Sequence, residues 1–258
     1  MSPPSSSTIN GSGDPAPAVR VLGFSPSPFV TRVLVALKLK GVEYELLEEK
    51  VGTKSELLLR SNPIHKKVPV LLYHGKPISE SLIIVEYIDE VWASNGAPAI
   101  LPRDPHDRAV QRFWAQYIDD KIPPAIRVLR SVDIAEEKEK AVGELSTTLQ
   151  YLEEAFVKCS QGKNYFGGDN IGYLDIALGG LFGWIKAVEK LAGVKLFEEA
   201  KVPNLISWAD RFRVHPAVMD VLVDADILVD LTLKYITLFK ALDLGLPVEF
   251  GKLAQNLN

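Results

Sequence analysis

Cysteine is almost missing from this chain of 258 residues, where Cys159 is the only one. An internal disulfide is therefore excluded, and a cysteine-based metal site has no support. Histidine is scarce as well. His65, His74, His106 and His215 are scattered without metal-ligand spacing, and no metal is expected. There is no basic excess: the net charge of −4 and isoelectric point near 5.7 give no reason to expect nucleic acid or an anionic membrane as partner. No apolar run approaches the length of a bilayer-spanning helix. Residues 1–17 lack the apolar core of a secretory signal and, although Ser-rich, carry no Arg as a transit segment would. A cytoplasmic location is the expectation, and without secretion the sequon Asn10-Gly11-Ser12 carries no weight.

What is present is an ordinary globular balance, 47% hydrophobic and 24% charged, with length for one large domain or two small ones. The texture changes along the chain. Residues 1–17, rich in Ser, Pro and Gly with Asp14 as the only charge, read as a disordered tail. Residues 18–97 alternate strand and helix patterns. A linker over 98–106 leads to a helical domain over 107–245, and 246–258 read as a flexible tail.

In the first domain Val19 to Phe24 reads as a strand, Pro28 to Lys40 as a helix stopped by Gly41, and Tyr44 to Glu49 as a second strand. Ser55 to Arg60 is a short helix. Val68 to Tyr73 and Lys76 to Ile78 form a hairpin about His74-Gly75. Ser81 to Trp92 is a helix with Leu82, Val85, Ile88 and Val91 or Trp92 on its apolar face. The order βαβ then ββα implies a small mixed sheet covered by helices. In the second domain helical patterns run from Arg108 to about Lys121, Glu136 to Lys158, Leu174 to Leu191, Asn204 to Val214 and Ile227 to Leu242, with almost no strand signal.

The junction Ser27-Pro28 is the most informative point. Ser27 stands at an N-cap position and Pro28 at the first helical position, where its missing N–H costs nothing. A hydroxyl and several backbone N–H groups there would meet a negative charge in solvent. An ordinary cap that only starts a helix stays open on these residues alone.

Three strings then carry a family resemblance: Ser27-Pro28-Phe29-Val30-Thr31-Arg32, Lys66-Lys67-Val68-Pro69-Val70, and Glu80-Ser81-Leu82-Ile83-Ile84-Val85-Glu86-Tyr87-Ile88-Asp89-Glu90. Over roughly residues 19–240 the chain resembles soluble glutathione transferases, most of all the plant tau class. The resemblance implies a thioredoxin-like N-terminal domain followed by an all-helical one, the division already read from the residues. It implies conjugation of the glutathione thiolate to hydrophobic electrophiles in detoxification or stress response, and leaves glutathione peroxidase activity open. Glutathione would be a co-substrate, no cofactor is expected, and the chain would form a homodimer.

By the same resemblance Ser27 activates the thiol. A free thiol of pKa about 8.5 is mostly protonated at neutral pH, and a hydroxyl donated to sulfur favours the thiolate. Ser25 is a rival in the same loop, standing where the tau pattern has Trp. Val68, before a cis Pro69, would pair its backbone with the cysteinyl unit. The alternative is that Pro69 merely starts an edge strand. Glu80 suits the glutamyl ammonium and Ser81 its carboxylate, while Lys54 and Lys67 suit the glycyl carboxylate. The acceptor pocket would be walled by Phe24, Pro26, Phe29, Pro123, Arg127, Arg130, Leu231 and Tyr235. Pro123 and Arg130 replace aromatic groups usual there, and two arginines point to acidic or polar acceptors. Core packing is the competing reading for Phe29 and Leu231. Asp175 would cap a helix rather than catalyse. Asp119-Asp120 reads as a solvated or interface face, and Gly179 to Gly183 as a small-residue pair for close helix packing. The second functional class is a non-catalytic carrier of hydrophobic or heterocyclic acids.

Overall fold

The computed structural model describes residues 18–50, 52–94, 96–131 and 134–243, so the tails expected at 1–17 and 246–258 lie outside the described residues. The first part contains β1 (Val19–Gly23), α1 (Pro28–Leu39), β2 (Glu45–Glu48), α2 (Glu56–Ser61), β3 (Val70–Tyr73), β4 (Lys76–Ser79) and α3 (Ser81–Val91). The second contains α4 (Pro105–Ser131), α5 (Ala135–Ser160), α6 (Tyr173–Ala192), α7 (Pro203–Arg213) and α8 (Ala225–Asp243).

The strands lie in the order β2-β1-β3-β4, with β1 parallel to β2 and the other pairs antiparallel. Side chains alternate across this sheet. Val19, Val21 and Leu71 point into the main core with α1 and α3, while Leu22, Val70 and Leu72 gather around Leu58 of α2 on the other face. β3 begins at Val70 rather than Val68, because Pro69 has no N–H for the ladder. The Val68–Pro69 bond is cis. His74 and Gly75 both take positive φ, 48° and 75°, the geometry of a two-residue primed turn. Gly41, at φ 62°, ends α1 as expected. The apolar face of α3 is rotated from the expected one: Ser81, Ile84, Val85 and Ile88 are buried, Leu82 only half so, and Val91 is exposed.

α4 does not stop near Lys121 but runs through Pro123-Pro124 to Ser131. A proline inside a helix costs about 3 kcal/mol. Ile118, Ile122, Ala125, Ile126 and Leu129 are all buried along one side of this segment. At about 1.5–3 kcal/mol for each fully buried large side chain, their packing outweighs the lost hydrogen bonds. α6 is the buried centre of the helical part, with only Phe182 and Lys186 partly exposed between Tyr173 and Glu189. Its glycines permit close approach: a Cβ on Gly179 would meet the Phe212 ring at 2.1 Å, and one on Gly180 would meet the Pro28 carbonyl at 2.6 Å.

Asp175 caps α6 and is fully buried. Its carboxylate accepts the N–H groups of Phe166 (2.9 Å), Gly167 (2.9 Å) and Gly172 (2.8 Å), and the indole N–H of Trp208 (2.7 Å). Burial pushes its pKa up to about 6 against the pull of those four donors. No described helix is long and apolar enough to cross a membrane.

Candidate functional site

The loop between β1 and α1 is held from three sides. Ser27 N–H donates to Phe24 O at 2.7 Å, closing a turn. The backbone N–H and hydroxyl of Ser25 both donate to the Glu48 carboxylate, each at 2.9 Å. The Trp184 indole N–H on α6 donates to Pro26 O at 2.8 Å. Ser25 is thereby committed to Glu48. Ser27 occupies the N-cap position, but its hydroxyl makes no capping bond.

The donor array at this helix end is smaller than the sequence implied. Pro28 has no N–H, and the N–H groups of Val30 and Thr31 both turn back to Ser27 O at 3.1 Å. Only the Phe29 N–H is left from the first turn beside the Ser27 hydroxyl.

Arg32, one turn further on, is completely buried. Its guanidinium donates to Ala177 O on α6 through Nε (3.1 Å) and Nη2 (2.8 Å), to both oxygens of Asp119 (3.1 and 2.6 Å), and to Ser81 Oγ (3.3 Å). It also lies over the Phe29 ring at 5.1 Å. Asp119 is thus not a solvated face but the counter-charge of Arg32; Asp120 alone is exposed, taking a bond from Gln116. Arg32 ties the start of α3 to α4 and α6, and fixes the hydroxyl of Ser81.

Ser81 is the first residue of α3, and Glu80 before it holds a positive φ of 74° with its side chain exposed. His65 approaches Glu80 at 3.9 Å. The loop that carries His65 hangs on buried Asn62, whose side-chain amide donates to Lys67 O (3.0 Å) and whose Oδ1 accepts the His65 N–H (3.1 Å). The structure therefore gathers Glu80, Ser81 and the Lys67–Val68 turn about one end of α3. Lys54 and Lys67 are exposed, and among the described residues no carboxylate pairs with either. Lys54 stands on its own segment with no bond to the other candidates.

Among the pocket candidates Phe24 and Phe29 are half-buried and Pro26 is buried. Pro123 and Arg130 are half-buried on α4, whereas Arg127 is exposed. Arg130 lies 3.8 Å from the Trp184 ring centroid, and the half-buried Tyr235 is near enough to feel its charge. Leu231 is only 4% exposed. Sequence reasoning missed Arg32, Asn62, His65 and Trp184. A signal existed for Arg32: a cation inside the apolar run from Phe29 to Leu37 demands partners.

Away from this site, a cavity of about 770 Å³ opens between the end of α1, β2 and the helical part, lined by Leu39, Tyr44, Leu46, Ile100, Ile171 and Pro216 among others.

Comparison with known proteins bears on both parts of the chain. Residues 17–90 match the family model of the glutathione S-transferase N-terminal domain, and residues 110–216 that of the C-terminal domain. Glutathione S-transferase U17 of Arabidopsis thaliana is 52% identical over 204 residues, 79% of this chain and 89% of that protein. The crystal structure of a tau class glutathione S-transferase from mango, Mangifera indica, is 50% identical, with a TM-score of 0.81 over 85% of this chain and 98% of its own. A rice glutathione transferase crystallised in complex with glutathione is 34% identical, with a TM-score of 0.77 over 86% of this chain and 99% of its own.

Proposed function

Because this chain belongs to the glutathione S-transferase family, in its plant tau class, we propose that it conjugates glutathione to hydrophobic electrophiles with Ser27 as the thiol-activating residue. The observation that carries this reading is the division of labour between two serines. The Ser25 hydroxyl is spent on Glu48, while that of Ser27 makes no cap and stands beside the Phe29 N–H at the positive end of α1. A hydroxyl so placed donates to a bound thiolate and favours it over the thiol. Glu80, Ser81 and the Val68 backbone would hold the glutamyl and cysteinyl parts, with Lys67 and Lys54 toward the glycyl carboxylate. Glutathione acts as co-substrate. The thiolate attacks the electrophilic carbon, and the same thiolate supports hydroperoxide reduction.

The test is Ser27→Ala. Glutathione affinity should stay near wild type, while the bound thiol titrates at higher pH. If Ser27 lowers the thiol pKa by two units, about 2.7 kcal/mol, the variant holds about 25-fold less thiolate at pH 7 and turnover falls in proportion. Equal thiolate titration curves in the two proteins would sink the mechanism.

A homodimer is the assembly expected of this reading. Ile83 on α3 and Phe113 on α4 are 58% and 63% exposed in the single chain, apolar surface of the kind that a two-fold contact covers. Sedimentation should give a dimer at micromolar concentration, and a monomer there would reject it. The cytoplasm is the compartment proposed for it. A carrier role beside catalysis would use the 770 Å³ cavity between the two parts, which has the volume of a small-molecule site and is lined by Tyr44, Leu46 and Ile171 together with the polar Lys38, Glu43, Asn170 and His215.

A further inference from the structure

We propose that Arg130 selects acceptors that carry a carboxylate on an aromatic ring, an inference that rests on the transferase reading above. Two arginines are withdrawn from water near the Ser27 loop, and the fold treats them in opposite ways. Arg32 is given a carbonyl, a carboxylate and a hydroxyl. Arg130 is given no anion: among the described residues no carboxylate pairs with it, and its Nε is sealed from solvent without a hydrogen-bond partner. Burial lowers its pKa, with only the Tyr235 phenol acting against that. A cation half withdrawn from water without a counter-charge is costly, so an anion that reaches this guanidinium gains more than it would at a solvated arginine.

The geometry says what kind of anion fits. The guanidinium lies 3.8 Å from the Trp184 ring centroid. Stacking engages one flat face and leaves the in-plane N–H groups at the edge, the arrangement that receives a planar carboxylate through two parallel hydrogen bonds. The residue keeps part of its surface in solvent, so its edge can be reached. The same indole donates to Pro26 O at 2.8 Å, so one ring separates the cation from the loop that carries Ser27. An acceptor anchored by its carboxylate at Arg130 is therefore held beside the thiol. In the conjugation the sulfur attacks the ring carbon bearing a halide. The C–S bond forms, the C–halogen bond breaks, and halide leaves with the bonding pair. The thiol proton has already gone to solvent, and the carboxylate is unchanged.

The test compares chlorodinitrobenzene with its carboxylated analogue chlorodinitrobenzoate on the full-length protein, each rate divided by its uncatalysed rate with glutathione. Wild type should favour the benzoate in kcat/KM. The benzoate-to-benzene ratio should fall about tenfold or more in Arg130→Gln and only partly in Arg130→Lys. A ratio unchanged in Arg130→Gln, or a wild type that favours the neutral acceptor, overturns the proposal. If Arg130→Gln does not fold, competition on wild type decides: benzoate must inhibit more tightly than benzamide, and the reverse order overturns the proposal. Conjugation of neither acceptor would overturn the transferase reading itself, and the role of Arg130 with it.

Discussion

Replacing Asp175 by Asn removes half of the acceptor capacity at the start of α6 while keeping the shape of the side chain. Four donors converge on this carboxylate, and Phe166, Gly172 and Trp208 among them are buried residues. An amide offers one oxygen and turns its own N–H groups toward the rest. Two donors then lose their partner at about 1–3 kcal/mol each, and relief of the buried charge returns part of that. The net expectation is a loss of about 3 kcal/mol at pH 7, read by urea unfolding followed by circular dichroism at fixed protein concentration. The pH dependence is more diagnostic. A carboxyl at about 6 in the folded chain, against about 3.9 unfolded, binds its proton more readily when folded. Its contribution therefore rises as pH falls through 6 and levels off below 3.9. Between pH 7 and pH 5 wild type gains about 1.3 kcal/mol that Asp175→Asn cannot, so the gap between them should widen by that amount. A gap that narrows on acidification would show that the four hydrogen bonds outweigh burial and hold the carboxyl below its unfolded value. A variant within about 0.5 kcal/mol of wild type at pH 7 would refute the capping argument outright.

Arg32→Met should destabilise by about 3–5 kcal/mol, because it strands the Asp119 carboxylate and Ala177 O, and the loosened Ser81 should raise KM for glutathione; denaturant unfolding and steady-state kinetics read the two effects. Glu80→Ala should weaken glutathione by about 1.5–3 kcal/mol through loss of one charge-assisted contact, visible by calorimetry, and unchanged affinity would remove Glu80 from the site.

The elements visible in the sequence were those fixed by neighbours in the chain. Ser27-Pro28 starts a helix, Gly41 stops it and His74-Gly75 turns a hairpin because backbone geometry at those points depends on local residues. The apolar periods located five helices after the linker for the same reason. Pro123-Pro124 misled, since the local rule stops a helix where tertiary burial of Ile118 to Leu129 carries it on. The site was legible as a set of residue types and not as a network. Arg32 and Asp119 are 87 positions apart, and Trp184 and Pro26 are 158 apart, so nothing in either neighbourhood announces the partner. The resemblance ranked Ser27 above its rival Ser25, but the physical reason lies in Glu48, which comes from β2 and whose carboxylate takes the Ser25 hydroxyl.

α6 supports the loop and helix of the other half from beneath: Trp184 grips Pro26, the Ala177 carbonyl receives Arg32, and Gly180 lets the Pro28 carbonyl lie against it. The two halves are therefore poor candidates for exchange. A chimaera joined in the stretch between α3 and α4 would set a foreign helix under α1, and any side chain at position 180 would lift α1 away. Inheritance should keep these halves together as one unit. Substitutions that alter what the protein handles have room where a side chain keeps some surface in water, at positions such as Pro123 and Arg130.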